Sequence, residues 1–243
     1  MDKKTALRYI DEWANFYLRI LGEAEHLELI EKDLYTMLQP KDGTWASIFN
    51  VRLENLNEKD LIKTVNEIKS LQKHVWWNQY SDRINAIVFP EGRHEPTPDD
   101  DEVFAVMTPN EMPAYPENKI HVRQAETLKD FETYHSICFD KTFNPNDYFN
   151  LHQKEMICCY IAYEKEEPVS VTTVLMNGKI CSLELTSTLS GYRNKGFATA
   201  VCQMAIREVF QNGAEVVTIR AGGGPAADEW SKKLGRKLGF SYI

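Results

Sequence analysis

Residues 179–212 read KICSLELTSTLSGYRNKGFATAVCQMAIREVFQN, which combines a strand-like run, a polar loop and a helical pattern. The stretch follows Asn177-Gly178, a dipeptide typical of tight hairpin turns. Its later part repeats apolar residues at the spacing of one buried helical face, and Gly213 stands where glycine commonly ends a helix. The apolar positions of this face are Ala198, Val201, Cys202, Ala205, Ile206 and Val209. The stretch therefore predicts a strand, a short loop and a helix.

The loop that joins this strand and helix is Arg193-Asn194-Lys195-Gly196-Phe197-Ala198. A glycine at the start of a helix lets successive backbone N–H groups point at one spot, and the first helical turn leaves further donors unpaired. The helix dipole and two nearby cations also favour negative charge at this point. The loop fits a phosphate site, but by itself it also fits an ordinary connection on a basic surface.

Three segments together resemble the GCN5-related N-acetyltransferases, whose acyl-CoA motif is (Gln/Arg)-x-x-Gly-x-(Gly/Ala). The loop matches this motif with Arg193, Gly196 and Ala198, after a strand that ends in Leu185-Thr186-Ser187-Thr188. The strand 216–219 and the terminal Lys237-Leu238-Gly239-Phe240 agree in order and spacing. The resemblance implies an α/β fold with a mixed sheet, of the acyl-CoA N-acyltransferase type, and the element order β-α-α-β-β-β-α-β-α-β.

Composition limits the class of protein. The chain has 243 residues, of which 43% are hydrophobic and 26% charged, and this predicts a globular protein. No window approaches the ~20 apolar residues of a membrane span, and charges interrupt the first twenty residues too often for a secretion signal. We therefore expect a cytoplasmic protein without a membrane partner. The five cysteines lack paired metal spacing and the six histidines lack helical ligand spacing, so no metal is expected.

The net charge of −8 lies in the first half of the chain. Residues 1–115 contain 13 Lys/Arg and 21 Asp/Glu, a balance of −8, whereas residues 116–243 contain 15 of each. An acidic protein is a poor partner for nucleic acid. The acidity would suit a cationic amine substrate, although a role in solubility explains it equally well.

The pattern predicts an N-terminal lobe at 1–112, a proline-rich linker at 113–118 and a catalytic domain at 119–243. In the first lobe, apolar spacing predicts helices, an N-capping Asn57 predicts another, and alternation at 45–53 predicts a strand, with two further strand candidates after it. The predicted helices are 4–21, 27–38 and the segment after Asn57, and the predicted strands are 45–53, 84–89 and 103–107, with an acidic loop at 90–101. By element order alone, this lobe resembles a degenerate acetyltransferase lobe that lacks the phosphate loop.

The sequence given stops three residues after Phe240, where a single-lobed member of the family would continue through another strand. An incomplete sheet leaves an exposed edge. We therefore expect the first lobe or a second subunit to cover that edge, which makes a homodimer possible.

The resemblance implies acetyl-CoA as co-substrate. Its pyrophosphate would lie on the backbone of residues 193–198, its pantetheine arm would pair with the strand end at 186–189, and the thioester carbonyl would accept an N–H from that strand end. The residues implied in donor binding are Thr186, Ser187, Thr188, Leu189, Arg193, Asn194, Lys195, Gly196, Phe197, Ala198, Thr199 and Asp228.

Glu184 is the candidate general base. An alkyl ammonium has a pKa near ~10.4, so an amine acceptor must lose a proton before it attacks. Glu184 is the acidic residue of the central strand, and several members of the family carry a catalytic glutamate there. A solvent-facing or salt-bridged glutamate is the alternative interpretation.

Gly235 occupies the position where the family often has a tyrosine that protonates the leaving thiolate. Tyr192, Tyr242 or water could replace it, and a thiolate can also leave without help. The sequence therefore predicts an N-acetyltransferase, with a non-catalytic CoA-binding or sensor protein, or a plain interaction module, as alternatives. The acceptor stays open among small-molecule and peptide amines: aminoglycosides, polyamines, amino acids and protein N-termini.

Overall fold

The computed structural model of the chain describes residues 3–75, 77, 82–88, 103–117, 119–221 and 225–242. The chain divides into two units, Met1–Thr97 and Pro98–Ile243. Each unit contains a sheet of its own.

The first unit combines helices with a four-stranded sheet of order β1-β2-β3-β4. The pairs β1–β2 and β2–β3 are antiparallel, and β3–β4 is parallel. Its elements are α1 (Lys3–Leu21), β1 (Leu27–Glu31), β2 (Thr36–Pro40), β3 (Ser47–Phe49), α2 (Glu58–Ser70), β4 (His74–Val75) and α3 (Asp82–Val88).

Helix α2 confirms the prediction made from Asn57. The Asn57 side chain accepts a hydrogen bond from the Asp60 backbone N–H at 3.0 Å, as an N-cap does. Leu61, Val65 and Ile68 are buried on one face of the helix, in the apolar core of the unit. The strand predicted at 45–53 is present as the shorter β3.

The helix predicted over 27–38 is wrong, because this segment forms the hairpin β1–β2. Leu29 pairs with Leu38, and Lys32 N–H donates to the Tyr35 carbonyl in the turn. Short apolar runs fit both helix and strand periods. Pairing of β2 with β3, which lies further along the chain, favours the strand here.

The strand predicted over 84–89 is also wrong where the structure describes it, because α3 is a helix. Ile84 and Val88 are 1% and 4% exposed, and they pack in the same core as Val65. A spacing of four residues places both side chains on one helical face. The predicted acidic loop at 90–101 lies outside the described residues.

The second unit is built on a seven-stranded mixed sheet of order β11-β5-β10-β9-β8-β7-β6. Its pairs are antiparallel except β9–β10, which is parallel. The elements are β5 (Val103–Met107), β6 (His121–Gln124), α4 (Leu128–Ile137), α5 (Pro145–Gln153), β7 (Ile157–Glu164), β8 (Glu167–Asn177), β9 (Ile180–Thr188), α6 (Phe197–Gln211), β10 (Val216–Ala221), α7 (Pro225–Leu238) and β11 (Ser241–Tyr242).

From β6 to β11 the element order is the one that the resemblance implied, so this expectation is confirmed. The hairpin turn at Asn177-Gly178 joins β8 to β9, with Gly178 at φ +59° and Asn177 paired with Ile180. Gly213, at φ +95°, follows the end of α6 as expected.

Strand β5 belongs to the second unit, although the sequence assigned 103–107 to the first lobe. It lies between β10 and β11 and is antiparallel to both. The boundary between the units therefore precedes β5, whereas the proline-rich segment at 113–118, in which residue 118 is not described, follows it. A strand from the N-terminal half of the chain thus fills the place where an incomplete sheet was expected.

Helices cover both faces of the second sheet. Helix α6 packs on one face, where its residues Val201, Ala205 and Ile206 share a core with Leu183 and Ile219. Helix α4 lies on the other face, where Tyr134 is hydrogen-bonded to Thr173 of β8. None of the helices in the described part of the chain is long and apolar enough to cross a membrane.

Candidate functional site

The N-terminus of α6 forms an anion-binding arrangement of backbone groups. Gly196 is the N-cap at φ +93°, and Asn194 is also left-handed at φ +63°. The helical ladder starts at Ala200 N–H, which donates to the Gly196 carbonyl, so Phe197 and the two residues after it have no helical acceptor for their N–H groups. The first turn contains no acidic residue. Converging N–H donors at the positive end of a helix dipole suit a phosphate.

The two cations of the loop have different surroundings. Arg193 lines the cavity described below, and its Nε donates to the Thr188 carbonyl at 3.2 Å. Lys195 lies over the ring of Tyr192, with Nζ 4.9 Å from the ring centre. Lys195 is exposed and is absent from the lining of the cavity. Arg193 is therefore the loop cation better placed for a ligand.

Strand β9 separates from β10 halfway along its length. Parallel pairing with β10 covers Ile180 to Leu183, although β9 continues to Thr188. On its other edge β9 has a bulge, since Thr173 pairs with Glu184 and Val171 pairs with Ser187. Such a bulge bends the strand and changes the direction of its side chains. Beyond Leu183, no described strand pairs with this edge of β9.

Leu185 lies in this bulge at φ +51°. A non-glycine residue in this region carries a cost of about 1–3 kcal/mol that surrounding structure must offset, and such residues cluster at functional sites. A chain of side-chain hydrogen bonds supports the bulge from the α6 side. Thr172 Oγ1 lies 2.8 Å from Thr186 Oγ1, which lies 3.4 Å from the sulfur of Cys202. Burial raises the pKa of the Cys202 thiol to about 11, so this group stays protonated at neutral pH.

A cavity of about 840 Å³ extends along the opening between β9 and β10. Most of the residues that the sequence proposed for the donor site line it, together with the proposed base. They are Glu184, Thr186, Ser187, Thr188, Arg193, Asn194, Gly196, Phe197, Ala198 and Thr199. One cavity therefore connects the anion site to the strand that carries the carboxylate.

Besides Lys195, two further proposed donor-site residues lack a described place in this lining. The Leu189 N–H donates to the Val169 carbonyl of β8, away from the cavity. Asp228 lies in α7, and its side chain is outside the described part of the structure, as are residues 222–224. Their proposed contacts with the donor remain predictions.

Glu184 is buried, with 6% of its surface exposed, and it lines the cavity. Ser182 Oγ donates to Glu184 Oε1 at 2.7 Å, which fixes the direction of the carboxylate. Thr172 Oγ1 donates to the backbone carbonyl of Glu184 at 3.2 Å. The solvent-facing alternative for this glutamate is thereby excluded.

The general acid remains open. Gly235 is buried within α7. The Tyr192 hydroxyl donates to Glu167 Oε2 at 2.5 Å, and this bond raises the pKa of Tyr192 above its ordinary value. Tyr192 is thus already committed to a carboxylate on β8, and the side chain of Tyr242 is not described.

Sequence reasoning missed the part of the lining that comes from other elements. Helix α4 and the residues after it contribute Ile137 and Phe139, and β10 contributes Arg220. Helix α7 contributes Ser231, Lys233, Leu234 and Lys237. The spacing of the two lysines was a usable signal, because residues four apart share a helical face. Nothing in the described residues groups three or more His, Cys, Asp or Glu side chains as a metal site would.

Comparison with known proteins supports the fold. Residues 122–240 match the family model described as acetyltransferase (GNAT) family. An acetyltransferase from the GNAT family of Colwellia psychrerythraea superposes with a TM-score of 0.62 at 9% identity, covering 96% of this chain and 93% of that one. A GCN5-related N-acetyltransferase from Kribbella flavida gives 0.58 at 11% identity, covering 94% and 90%.

A conserved protein of unknown function from Staphylococcus epidermidis superposes with a TM-score of 0.50 at 10% identity, covering 90% of this chain and 91% of that one. No curated protein matches the chain by sequence. At these identities the structural likeness concerns the fold alone. The family match and the element order agree, and residues 122–240 form a domain of the acetyltransferase (GNAT) family.

Proposed function

We propose that the second unit transfers an acetyl group from acetyl-CoA to a primary amine. The observation that carries this proposal is the cavity between β9 and β10, which joins the N-terminus of α6 to Glu184. The helix end offers N–H donors for the pyrophosphate, and the edge of β9 beyond its described pairing with β10 would offer backbone groups for the pantetheine arm. A domain of the GNAT family is consistent with acetyl transfer.

The chain's own groups would act in sequence on the two substrates. Glu184 takes a proton from the acceptor ammonium, and the free amine then attacks the thioester carbonyl carbon. Backbone N–H groups of the β9 edge stabilise the oxyanion that forms. The attacking nitrogen loses its extra proton to solvent, the carbon–sulfur bond breaks, the amide and the CoA thiolate separate, and the thiolate takes up a proton from solvent. A thiol pKa near ~8.5 makes this departure possible without the missing tyrosine.

Arg193, Lys233 and Lys237 surround the cavity with positive charge. These side chains complement the phosphates of CoA, since charge-assisted contacts to phosphate are among the stronger polar interactions. Contacts of the donor with individual side chains, a homodimer and a cytoplasmic location remain predictions.

A CoA-binding or sensor protein without transferase activity is the second candidate, and Gly235 at the expected tyrosine position favours it. The experiment that separates the two is thiol release from acetyl-CoA in the presence and absence of a panel of primary amines. Release that depends on the amine, with an acetylated product of matching mass, supports transfer. Slow hydrolysis that is independent of the amine supports the sensor.

A further inference from the structure

The residues that line the cavity fall into two groups, one on each face of the second sheet. Leu183 of β9 and Ile219 of β10 are register partners, and both belong to the apolar core that α6 covers. Side chains alternate along a strand, so Glu184 and Arg220, which follow them, point to the opposite face. Both residues line the cavity, which therefore receives a carboxylate and a guanidinium from that face.

The face that carries this pair is the face of α4. Thr173, the β8 partner of Glu184, is hydrogen-bonded to Tyr134 of α4. Ile137 ends this helix, and Phe139 follows it with 69% of its surface exposed. Both residues line the cavity, and the Phe139 N–H donates to Ser187 Oγ on β9 at 3.1 Å. The pair of charges therefore has an apolar and aromatic wall fixed beside it.

The remaining cations of the described lining belong to the other side of the sheet. Lys233 and Lys237 lie on α7, which contacts α6, and Leu234 between them packs against the core under α6. Arg193 lies in the loop before α6. These three cations flank the proposed site of the donor phosphates, whereas Arg220 lies on the face of the proposed base.

We propose that the acceptor is a primary amine that also carries a carboxylate and an apolar side chain, as an α-amino acid does. Arg220 would bind the carboxylate, Glu184 would take the proton of the ammonium, and Ile137 and Phe139 would contact the side chain. This inference rests on the proposed acetyl transfer and adds the class of the acceptor.

Charge and geometry both favour this acceptor over a polyamine or an aminoglycoside. Glu184 is the one carboxylate among the described lining residues, so a second ammonium group would meet cations instead of acids. An arginine binds a carboxylate through two parallel hydrogen bonds. Both Glu184 and Arg220 also interact within the protein. A guanidinium has five N–H donors, which allows a protein partner and a ligand at once.

The test compares matched acceptors. The rate of amide formation from acetyl-CoA is measured with leucine, leucinamide and spermidine, for the wild type and for Arg220→Met. We expect the wild type to prefer leucine over leucinamide in kcat/KM, and Arg220→Met to reduce that preference by about 10- to 100-fold, the effect of losing one charged hydrogen-bond partner. Arg220→Lys keeps the charge without the paired bonds and should recover part of the preference.

Lys237→Met is the matched control, because it removes a cation from the other side of the same cavity. We expect it to change the KM for acetyl-CoA and to keep the ratio of leucine to leucinamide. Equal rates with both acceptors, or a preference for spermidine, would overturn the amino-carboxylate acceptor while leaving acetyl transfer intact. Absence of acetyl-CoA binding by calorimetry would remove the proposed function and this inference together. Thermal unfolding of each variant shows whether a loss of activity is caused by misfolding. If Arg220→Met does not fold, the leucine-to-leucinamide ratio of Arg220→Lys tests the role of Arg220 in its place.

Discussion

At the scale of single residues, Glu184 combines burial with a fixed orientation. Its carboxylate accepts the Ser182 hydroxyl at 2.7 Å and lines the cavity, so it can act on an acceptor that enters there. The sequence indicated this residue because it is the acidic residue of the central strand, where several members of the family carry a catalytic glutamate. The sequence did not indicate Arg220 as a site residue, since it does not show which residue of β10 lies on the same face of the sheet as Glu184. The described register of β9 against β10 ends at Leu183 and Ile219, and Glu184 and Arg220 are the next residues of the two strands.

Replacement of the proposed base should separate proton transfer from donor binding. We expect Glu184→Gln to lower turnover by about 10²- to 10⁴-fold, the usual contribution of a general base. The loss should be largest at low pH, because there the variant depends on the small fraction of amine that is already deprotonated. The check is a pH–rate profile combined with calorimetric titration of acetyl-CoA, whose affinity should be kept.

Glu215→Gln serves as control for this substitution. Glu215 is an exposed carboxylate that forms an ion pair with Lys179 and lies outside the cavity lining. Turnover in Glu184→Gln equal to that of the control at every pH would remove Glu184 from the mechanism.

At the scale of elements, α4 and α5 begin with the same capping motif in different surroundings. Asp130 in α4 and Asp147 in α5 each accept the backbone N–H of the capping residue. Asp130 is buried and bonded to Arg123 as well, and this guanidinium holds the pKa of Asp130 well below its ordinary value. The ionised Asp130 therefore stabilises the folded state of the second unit.

This pKa predicts a stability that depends on pH. The unfolded carboxyl has a pKa near ~3.9, so the contribution is complete above about pH 5 and is lost as the pH falls toward the lower folded pKa. We expect Asp130→Asn to reduce the free energy of unfolding by about 1–3 kcal/mol at pH 7, and by less at about pH 3. Urea unfolding at both values measures the difference.

Asp147→Asn provides the comparison, because Asp147 holds the same capping position and no ion pair given for the described residues includes it. A cap of this kind contributes typically ~1 kcal/mol. An Asp130→Asn effect that is the same at pH 7 and pH 3, or no larger than that of Asp147→Asn, would contradict the role given to Arg123.

Helices and strands were predictable where the apolar residues follow a single spacing. They were ambiguous where the apolar segment is short. The apolar face of α6 and the capped α2 follow directly from their spacing. In β1–β2, the segment 27–38 has helical spacing as well, and pairing with β3 decides its structure. In α3, Ile84 and Val88 fit both alternation and helical spacing, and packing against α2 residues decides. A local sequence pattern does not include contacts between residues that are distant in the chain, and in these two segments such contacts decide between helix and strand.

At the scale of the whole chain, the second sheet depends on a strand that comes before the matched GNAT domain. Strand β5 pairs with both β10 and β11, and Ala105 and Met107 lie in the core that α6 covers. The resemblance predicted an incomplete sheet whose edge the first lobe or a second subunit would cover. It did not identify the strand, because the apolar run 103–107 does not by itself show which sheet it joins.

Two truncations test this dependence. We expect a chain that begins at residue 98 and keeps β5 to be more soluble than one that begins at residue 113 and lacks it. In the shorter chain, β10 becomes an exposed edge and β11 loses the partner it has in the described sheet. The measurements are the soluble fraction after expression and thermal unfolding. A folded, monomeric chain from residue 113 onward would show that β5 is dispensable.

The first unit repeats the element order of the second. The order α1-β1-β2-β3-α2-β4-α3 corresponds to α5-β7-β8-β9-α6-β10-α7. In each unit the third and fourth strands of this series are parallel partners, β3 with β4 and β9 with β10. We propose that the first unit is a related lobe without a phosphate loop. The structures from Colwellia psychrerythraea and Kribbella flavida, which superpose over more than nine tenths of the chain, are consistent with this.

Calorimetric titration of acetyl-CoA into the wild type and into Gly196→Asp decides whether the cavity is a donor site. Gly196, at φ +93°, caps α6 where the phosphates are proposed to bind, and aspartate adds a negative charge and backbone strain there. Gly191→Asp is the control, because it adds the same charge earlier in the loop, outside the cavity lining. We predict micromolar binding to the wild type and the control, and its loss in Gly196→Asp. No binding to the wild type, or equal binding to all three proteins, would contradict an acetyl-CoA site at the N-terminus of α6.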